Sequence, residues 1–375
     1  MTTQNNSNLS DLNFDELLQM SLEIDQAKRN QSMISLNKAA ETNFSLFLQK
    51  LASILSNESK PVGIRQLSSI IIKNSLLHVE LFQEYWKKNL SAEDKNQIKL
   101  FVLSTLASAK KEIRTSARTL ISSICKIDPP ITETWPDLLP SLTNNSFNEN
   151  INMKLAAIET LGYVCEELNL KSIDSNSVDA IMDALIQNLI NNKNTKDIII
   201  QLLKALYYTI RLAEKNFSNK KEREIIMNSI FQIGQKYETD EDIIDKIAML
   251  FIEMLSVSNY YDYIEDFFNH ITQFAFNIIE KYKETNDRLA LLGLEILCSI
   301  GDEEAKRKSP FEITLSQLAS GGFSLDNSKK LSKGYYNKIS GKLQQLIVNN
   351  VVVPEDDEDE NEWNISKACL IILTL

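Results

Sequence analysis

The stretch Trp135–Leu168, WPDLLPSLTNNSFNENINMKLAAIETLGYVCEEL, is the place from which the fold can be read. Trp135 to Leu142 is apolar at helical spacing. Ile151, Leu155, Ile158, Leu161 and Leu168 then recur at intervals of three, four and seven, which puts them on one face of a second helix. Between them stand Asn144, Asn145, Ser146 and Asn148, residue types that end one helix and cap the next. The unit is helix, short break, helix.

The same unit recurs in both directions. Upstream, Leu12, Leu17, Leu18 and Ile24 predict a short amphipathic helix, and Met33, Leu36 and Ala40 a second. Phe44, Phe47, Leu48, Leu51 and Leu55 make a clear stripe, and Pro61 opens a helix carrying Ile64, Leu67, Ile71 and Leu76. Ile98 to Ala109 is followed by Ile113, Ala117, Leu120, Ile121 and Ile124. Downstream, Val178–Ile190 is followed by Ile199, Leu202, Leu206 and Ile210, and Ile225–Ile233 by Ile243, Ile247, Leu250 and Met254. Tyr263–Ile279 is followed by Leu289, Leu292, Ile296 and Ile300.

Several second helices open on a base: Arg65, Lys154, Lys246, Arg288 and Lys367. The gaps of 89, 92, 42 and 79 residues are one or two units of about 40–46, the period of HEAT-type helix pairs. Nine Gly and seven Pro in 375 residues are too few for many short strands. The expected fold is all-α, a HEAT-repeat α-solenoid forming a right-handed superhelix of about eight antiparallel helix pairs over 12–375, after a disordered polar N-terminus at 1–11. Glu303 to Leu331, with Gly321-Gly322, breaks the rhythm as a longer excursion. The chain stops inside the apolar run Ala368–Leu375 with no polar capping helix after it, so the last pair reads as cut short and the chain as part of a longer array.

Charge is concentrated in one place. Glu355-Asp356-Asp357-Glu358-Asp359-Glu360-Asn361-Glu362 carries seven carboxylates and leads into Trp363-Asn364. Without them the net charge of −11 becomes −4, with 44 acids against 40 bases. Mutual repulsion keeps such a block extended in water, so it is either a solvated linker or a clamp for a basic partner. The balanced remainder lacks the basic face of a nucleic-acid binder. No apolar stretch approaches the roughly 18 residues of a membrane span, and Met1–Asp11 has no apolar core of a signal peptide. Cys125, Cys165, Cys298 and Cys369 lie far apart within apolar helical patterns, as small buried residues in a reducing compartment. His78 and His270 have no metal-ligand spacing, and neither a phosphate-cradling loop nor a nucleophile motif is present. The sequence therefore predicts a binding protein with no cofactor, and not an enzyme.

Six ordered segments then carry a resemblance. They are Arg65–Leu76 (RQLSSIIIKNSL), Trp135–Pro140 (WPDLLP), Ala157–Cys165 (AIETLGYVC), Asn216–Met227 (NFSNKKEREIIM), Tyr260–Tyr263 (YYDY) and the acidic run ending in Trp363-Asn364. Together they resemble the N-terminal part of the importin-β family of nuclear transport receptors, which are more than twice this length. The resemblance implies a shuttling protein of cytoplasm and nucleus, enriched at the nuclear envelope and pore. Its implied partners are Ran in the GTP form, importin-α or basic nuclear-localisation cargo, and Phe-Gly nucleoporins, with Ran-GTP releasing cargo.

Residue by residue, the resemblance assigns Lys73, Asn74, Asp356, Asp357, Glu358, Asp359 and Glu360 to Ran. It assigns Trp363 and Asn364 to cargo or importin-α. Met182, Asp183, Ile186, Glu222, Ile225 and Ile226 are the implied Phe-Gly groove, where the family often has an aromatic residue in place of Ile225. A HEAT scaffold of the phosphatase or vesicle-coat type is the alternative, with the same helix pairs and no transport role.

Overall fold

The computed structural model describes residues 12–307, 332–350, 365 and 367–369. The described residues form two units, divided between Asn188 and Leu189.

The first unit contains α1 (Phe14–Ser21), α2 (Gln26–Thr42), α3 (Phe44–Ser56), α4 (Val62–His78), α5 (Glu80–Lys88), α6 (Ala92–Ser104), α7 (Lys111–Ile127), the one-turn α8 (Ile131–Thr134), α9 (Leu138–Asn145) and α10 (Ile151–Glu167). It holds almost all of α11 (Ser175–Leu189) as well. In the pairs α3–α4, α6–α7 and α9–α10, each second helix packs on the second helix of the next pair, α4 on α7 and α7 on α10. α3 also packs on α6. This is the stacking of a solenoid, in which each pair covers its neighbour's apolar faces.

The stripes explain it. Phe47, Leu48, Leu51 and Leu55 of α3 are all at most 1% exposed, as are Ile113, Ala117, Leu120, Ile121 and Ile124 of α7. Asn43 and Asn150 cap α3 and α10 with their side chains, as the polar breaks in the sequence suggested.

The second unit contains α12 (Lys196–Thr209), the short α13 (Glu214–Ser218), α14 (Lys220–Lys236), α15 (Glu241–Ser256), α16 (Phe268–Tyr282), α17 (Asp287–Ala305) and α18 (Tyr335–Asn350). Second helices again stack in series, α12 on α15 and α15 on α17. α14 and α16 meet through side chains, with the Phe231 and His270 rings 5.3 Å apart. The link between α15 and α16 is long and partly 3-10 helical, over Ser258–Asp262 and Glu265–Phe267. Its aromatics are anchored deep: Tyr260 stacks on Phe217 at 4.4 Å and donates to the Ile210 carbonyl at 2.6 Å.

Three differences from the sequence reading have physical causes. Trp135 stands before α9, as the residue that ends α8, and is buried there by its bulk. Tyr263 lies in the 3-10 link, so α16 begins at Phe268. Ile24 falls outside α1 and is 96% exposed, because Asp25 caps α2 immediately after it.

Of the bases that open second helices, Arg65 is a clamp on the preceding turn, whereas Lys246 and Arg288 pair with Asp245. Arg65, 1% exposed, donates through Nε to the Leu55 carbonyl at 2.8 Å and through Nη2 to Glu58 at 2.7 Å and the Ser108 hydroxyl at 3.4 Å. Arg114 does the same for the Ser108 and Ala109 carbonyls, at 2.8 and 3.2 Å. Polar bonds about one repeat apart then tie neighbouring pairs, such as Ser69 to the Ser116 carbonyl at 3.1 Å and Arg288 to Asp245 at 2.8 Å.

Candidate functional site

Two grooves along the helix seams are the candidate docking surfaces. The first runs along the α4–α7 seam and has a volume of about 350 Å³. Gln66, Ser69, Ile70 and Lys73 of α4 face Lys111, Glu112, Thr115, Ser116 and Thr119 of α7 across it. Ser69 is buried at the foot of the groove, where its hydroxyl donates to the Ser116 carbonyl at 3.1 Å, while Ile70, Lys111 and Glu112 are exposed at its rim. Two ammonium groups against one carboxylate, with hydroxyls, an amide and the exposed Ile70, give this groove a slight positive balance and several hydrogen-bonding groups around an apolar patch. α7 also starts without a side-chain cap, beside Lys110 and Lys111, with Glu112 as the one acid in its first turn.

The second groove, of about 620 Å³, lies between α14 and α16 with α15 as its floor. Phe231 and Gly234 of α14 form one wall, His270, Phe274 and Tyr282 of α16 the other, and Ile244 and Ile247 lie beneath. Phe231 sits 5.6 Å from the fully buried Phe251 and 5.3 Å from His270, while Phe274 meets Phe251 edge-on at 5.4 Å and 81°. Gly234 keeps the groove wide: a Cβ there would rest on the Ile247 side chain at 3.4 Å, an ordinary contact, and any longer side chain would occupy the space. Half-buried aromatic walls over an aliphatic floor favour an apolar ring, in edge or offset contact. The signal in the sequence was Phe231, Gly234 and Phe274 on faces turned away from the main stripe, and sequence reasoning did not select them.

The residues singled out by resemblance fall as follows. Lys73 is half-buried in the α4–α7 groove, and Asn74 beside it is exposed. Met182 and Ile186 of α11 are 2% and 5% exposed, with Asp183 exposed between them. In the second unit Ile226 is 4% exposed and Ile225 57%. Glu222 accepts hydrogen bonds from Asn216 and Asn219 at 2.9 and 2.6 Å, as part of the α13–α14 turn. Of these six, then, Asp183 and Ile225 present the most surface. Asp356, Asp357, Glu358, Asp359, Glu360, Trp363 and Asn364 lie outside the described residues.

Among the described residues no three His, Cys, Asp or Glu side chains are grouped to hold a metal, and no helix is long and apolar enough to cross a membrane. Burial raises the Cys125 thiol far above its usual range, and those of Cys298 and Cys369 to about 11, so all three stay protonated at neutral pH.

Residues 34–108 match the family model for the importin-beta N-terminal domain. Over 363 residues the chain is 30% identical to importin subunit beta-1 of Arabidopsis thaliana, covering 94% of this chain and 39% of that protein. The chain belongs to the importin-β family. It spans about 40% of the length of the curated relatives it matches. Among solved structures it is similar to yeast importin-beta, Kap95p, with a TM-score of 0.76 at 24% identity over 96% of this chain and 41% of that one. Structures of Kap95p with RanGDP and of the Kap95:Nup1 complex each give 0.73, also at 24% identity and over 96% of this chain, with 40% and 41% of theirs. The fold is therefore the HEAT-repeat solenoid of the karyopherins.

Proposed function

We propose that the chain is the docking part of a nuclear import receptor that shuttles between cytoplasm and nucleus. It binds Phe-Gly nucleoporins, cargo or importin-α, and Ran-GTP, which releases the cargo. The single observation that carries this reading is the α14–α16 groove, whose aromatic walls and 620 Å³ suit a phenylalanine ring flanked by glycine. A Phe ring buries little area, so each contact is weak and short-lived, and many in parallel hold a receptor in the pore without arresting it. The Kap95:Nup1 complex, in a protein of the same fold, supports assigning this partner.

The α4–α7 groove, with Lys73 and Lys111, is the surface we assign to acidic groups on Ran, and Kap95p acting on the switch loops of RanGDP supports that partner. The acidic run, Asp356 to Glu360, would add the opposite charge for basic surface on Ran, and Trp363 and Asn364 a stacking and hydrogen-bonding pair for a basic cargo segment.

The test uses fluorescence anisotropy of a labelled peptide with two Phe-Gly repeats, together with retention of Ran loaded with GTP or GDP. The expected result is micromolar-to-millimolar, rapidly reversible peptide binding that Gly234→Leu weakens about tenfold or more, and selective retention of the GTP form. Peptide binding unchanged by Gly234→Leu moves the site elsewhere. Absence of both bindings returns the scaffold reading.

A further inference from the structure

The rim of the α14–α16 groove carries a chain of hydrogen bonds that its apolar lining does not account for. Along α16 the inner lane of the wall is Phe274 and Ile278, and the outer lane is His270, Gln273, Asn277 and Lys281, at helical spacing and all exposed. Lys281 is spent on the Glu238 carbonyl at 2.8 Å, and the His270 ring lies beside Phe231. Gln273 donates through Nε2 to Asn277 Oδ1 at 2.6 Å. Lys342 of α18 donates through Nζ to Gln273 Oε1 at 3.1 Å and stands over the Phe276 ring at 5.5 Å.

A side-chain amide on its own can turn over, exchanging its donor and acceptor ends. Here Lys342 decides which way both amides face. An ammonium group has only hydrogens to give, so Gln273 must offer it oxygen, and the Gln273 nitrogen then faces Asn277. Asn277 must in turn offer Oδ1. Its Nδ2, with two hydrogens, is left without a partner among the described residues, on the groove that Asn277 lines. Asn277 lies three residues beyond Phe274, a rise of about 4.5 Å along α16.

We propose that Asn277 is a specificity-determining residue of this groove. Its Nδ2 donates to the backbone carbonyl of the residue that follows a bound phenylalanine, and Lys342, acting through Gln273, is the positioning residue that keeps this donor outward. The proposal rests on the Phe-Gly reading of the groove and deepens it. A ring between Phe231 and Phe274 gains its apolar contact whatever residue comes next in the bound chain. The hydrogen bond is more demanding, because the backbone must lie close against α16. Glycine, with no Cβ, allows that approach, and a β-branched residue holds the backbone off. Asn277 therefore makes the groove prefer phenylalanine followed by glycine. At an exposed rim such a bond is modest, and it leaves the exchange fast.

Binding to the full chain is measured by fluorescence anisotropy for an uncharged, end-capped peptide with a single Phe-Gly pair and for its Phe-Val counterpart. Fluorine NMR follows para-fluorobenzyl alcohol, a ring with no backbone. Binding that survives Gly234→Leu belongs to other sites and is subtracted. The expected result is that Asn277→Ala weakens the Phe-Gly peptide about three- to tenfold, brings it within about twofold of the Phe-Val peptide, and leaves the alcohol unchanged. Lys342→Glu, which accepts from Gln273 and so turns both amides over, weakens the Phe-Gly peptide about as much as Asn277→Ala. Lys342→Arg, which again only donates, keeps it within about twofold of the original. An alcohol that does not bind overturns the ring groove itself. An alcohol that binds, with Phe-Gly affinity and preference unchanged in Asn277→Ala, overturns the role of Asn277. A loss in Asn277→Ala with none in Lys342→Glu overturns the positioning by Lys342.

Discussion

The α4–α7 groove and the α14–α16 groove are cut into the same kind of scaffold and yet are lined differently, the first by hydroxyl side chains around Ile70 and the second by aromatic rings. In the first, two second helices pack closely, and what remains open is a shallow channel lined with hydroxyls, two lysines, a glutamate and Ile70. In the second, two first helices stand apart, and the gap exposes side chains that would otherwise be core, Phe231 and Phe274 among them. A solenoid commits one face of each helix to its core and leaves the other free. Close packing leaves polar outer residues at the seam, while splaying turns core-type residues into a binding surface.

Four measurements sharpen or break this contrast, in decreasing order of expected effect. Arg65→Ala removes the clamp beneath the polar groove and leaves the Leu55 carbonyl without its buried donor. It should lower the stability of the first unit by about 2–3 kcal/mol, read by urea unfolding, while leaving Phe-Gly peptide binding in the folded state unchanged. An equal loss of peptide binding would mean that the grooves are not independent.

Gly234→Leu should lower the affinity of the α14–α16 groove for a Phe-Gly peptide about tenfold or more, a difference of roughly 1.4 kcal/mol. Replacing a mid-helix glycine gains helix propensity of up to about 1 kcal/mol, so the melting temperature should hold or rise. A fall in both would show that the groove is needed for packing rather than for docking.

Salt separates the two surfaces next. Raising ionic strength from about 0.05 to 0.15 M should weaken retention of Ran-GTP, and Lys73→Glu should weaken it further, by several-fold. Binding of the uncharged Phe-Gly peptide should change by less than about twofold over the same range. Equal salt dependence would erase the distinction drawn between them.

The smallest effect concerns Glu58. The Arg65 guanidinium, and after it the Ser108 hydroxyl, hold its carboxyl below the usual 4.5. A depressed carboxyl contributes stability that is fully present above the unfolded value and is lost as pH falls through the folded one. Stability of the first unit should therefore carry an acid-side loss that begins as pH drops below about 4.5 and that Glu58→Gln removes. With the Glu58 side chain 54% exposed, solvent screens the pair and the loss should stay well under about 1 kcal/mol.

Much of this architecture was legible in the sequence, because helix stripes and caps are local. Phe44 to Leu55 and Ile113 to Ile124 are buried where their spacing put them. Arg65 was legible as one of the periodic bases, but its work as a clamp was not, since the Leu55 carbonyl becomes its neighbour only when the turn closes; Arg114, which clamps the Ser108 carbonyl in the same way, was not in that series. The aromatic groove was missed for a related reason. In the sequence Phe231 and Phe274 are ordinary apolar residues 43 positions apart, and only the tertiary placement of α14 and α16 over α15 makes them two walls of one cavity. Met182, Ile186 and Ile226 show the converse, being apolar and well placed by resemblance but at most 5% exposed.

By itself the sequence determined that this chain is helical, paired and periodic, with its acidity in one run, because those properties follow from the spacing and type of neighbouring residues. Only the tertiary structure decided which apolar residues remain open to a partner and which carboxylate caps which helix. Glu304 reads locally as an unfavourable acid at the end of α17, and the amides of Tyr335 and Tyr336 that answer it arrive from 31 and 32 residues away.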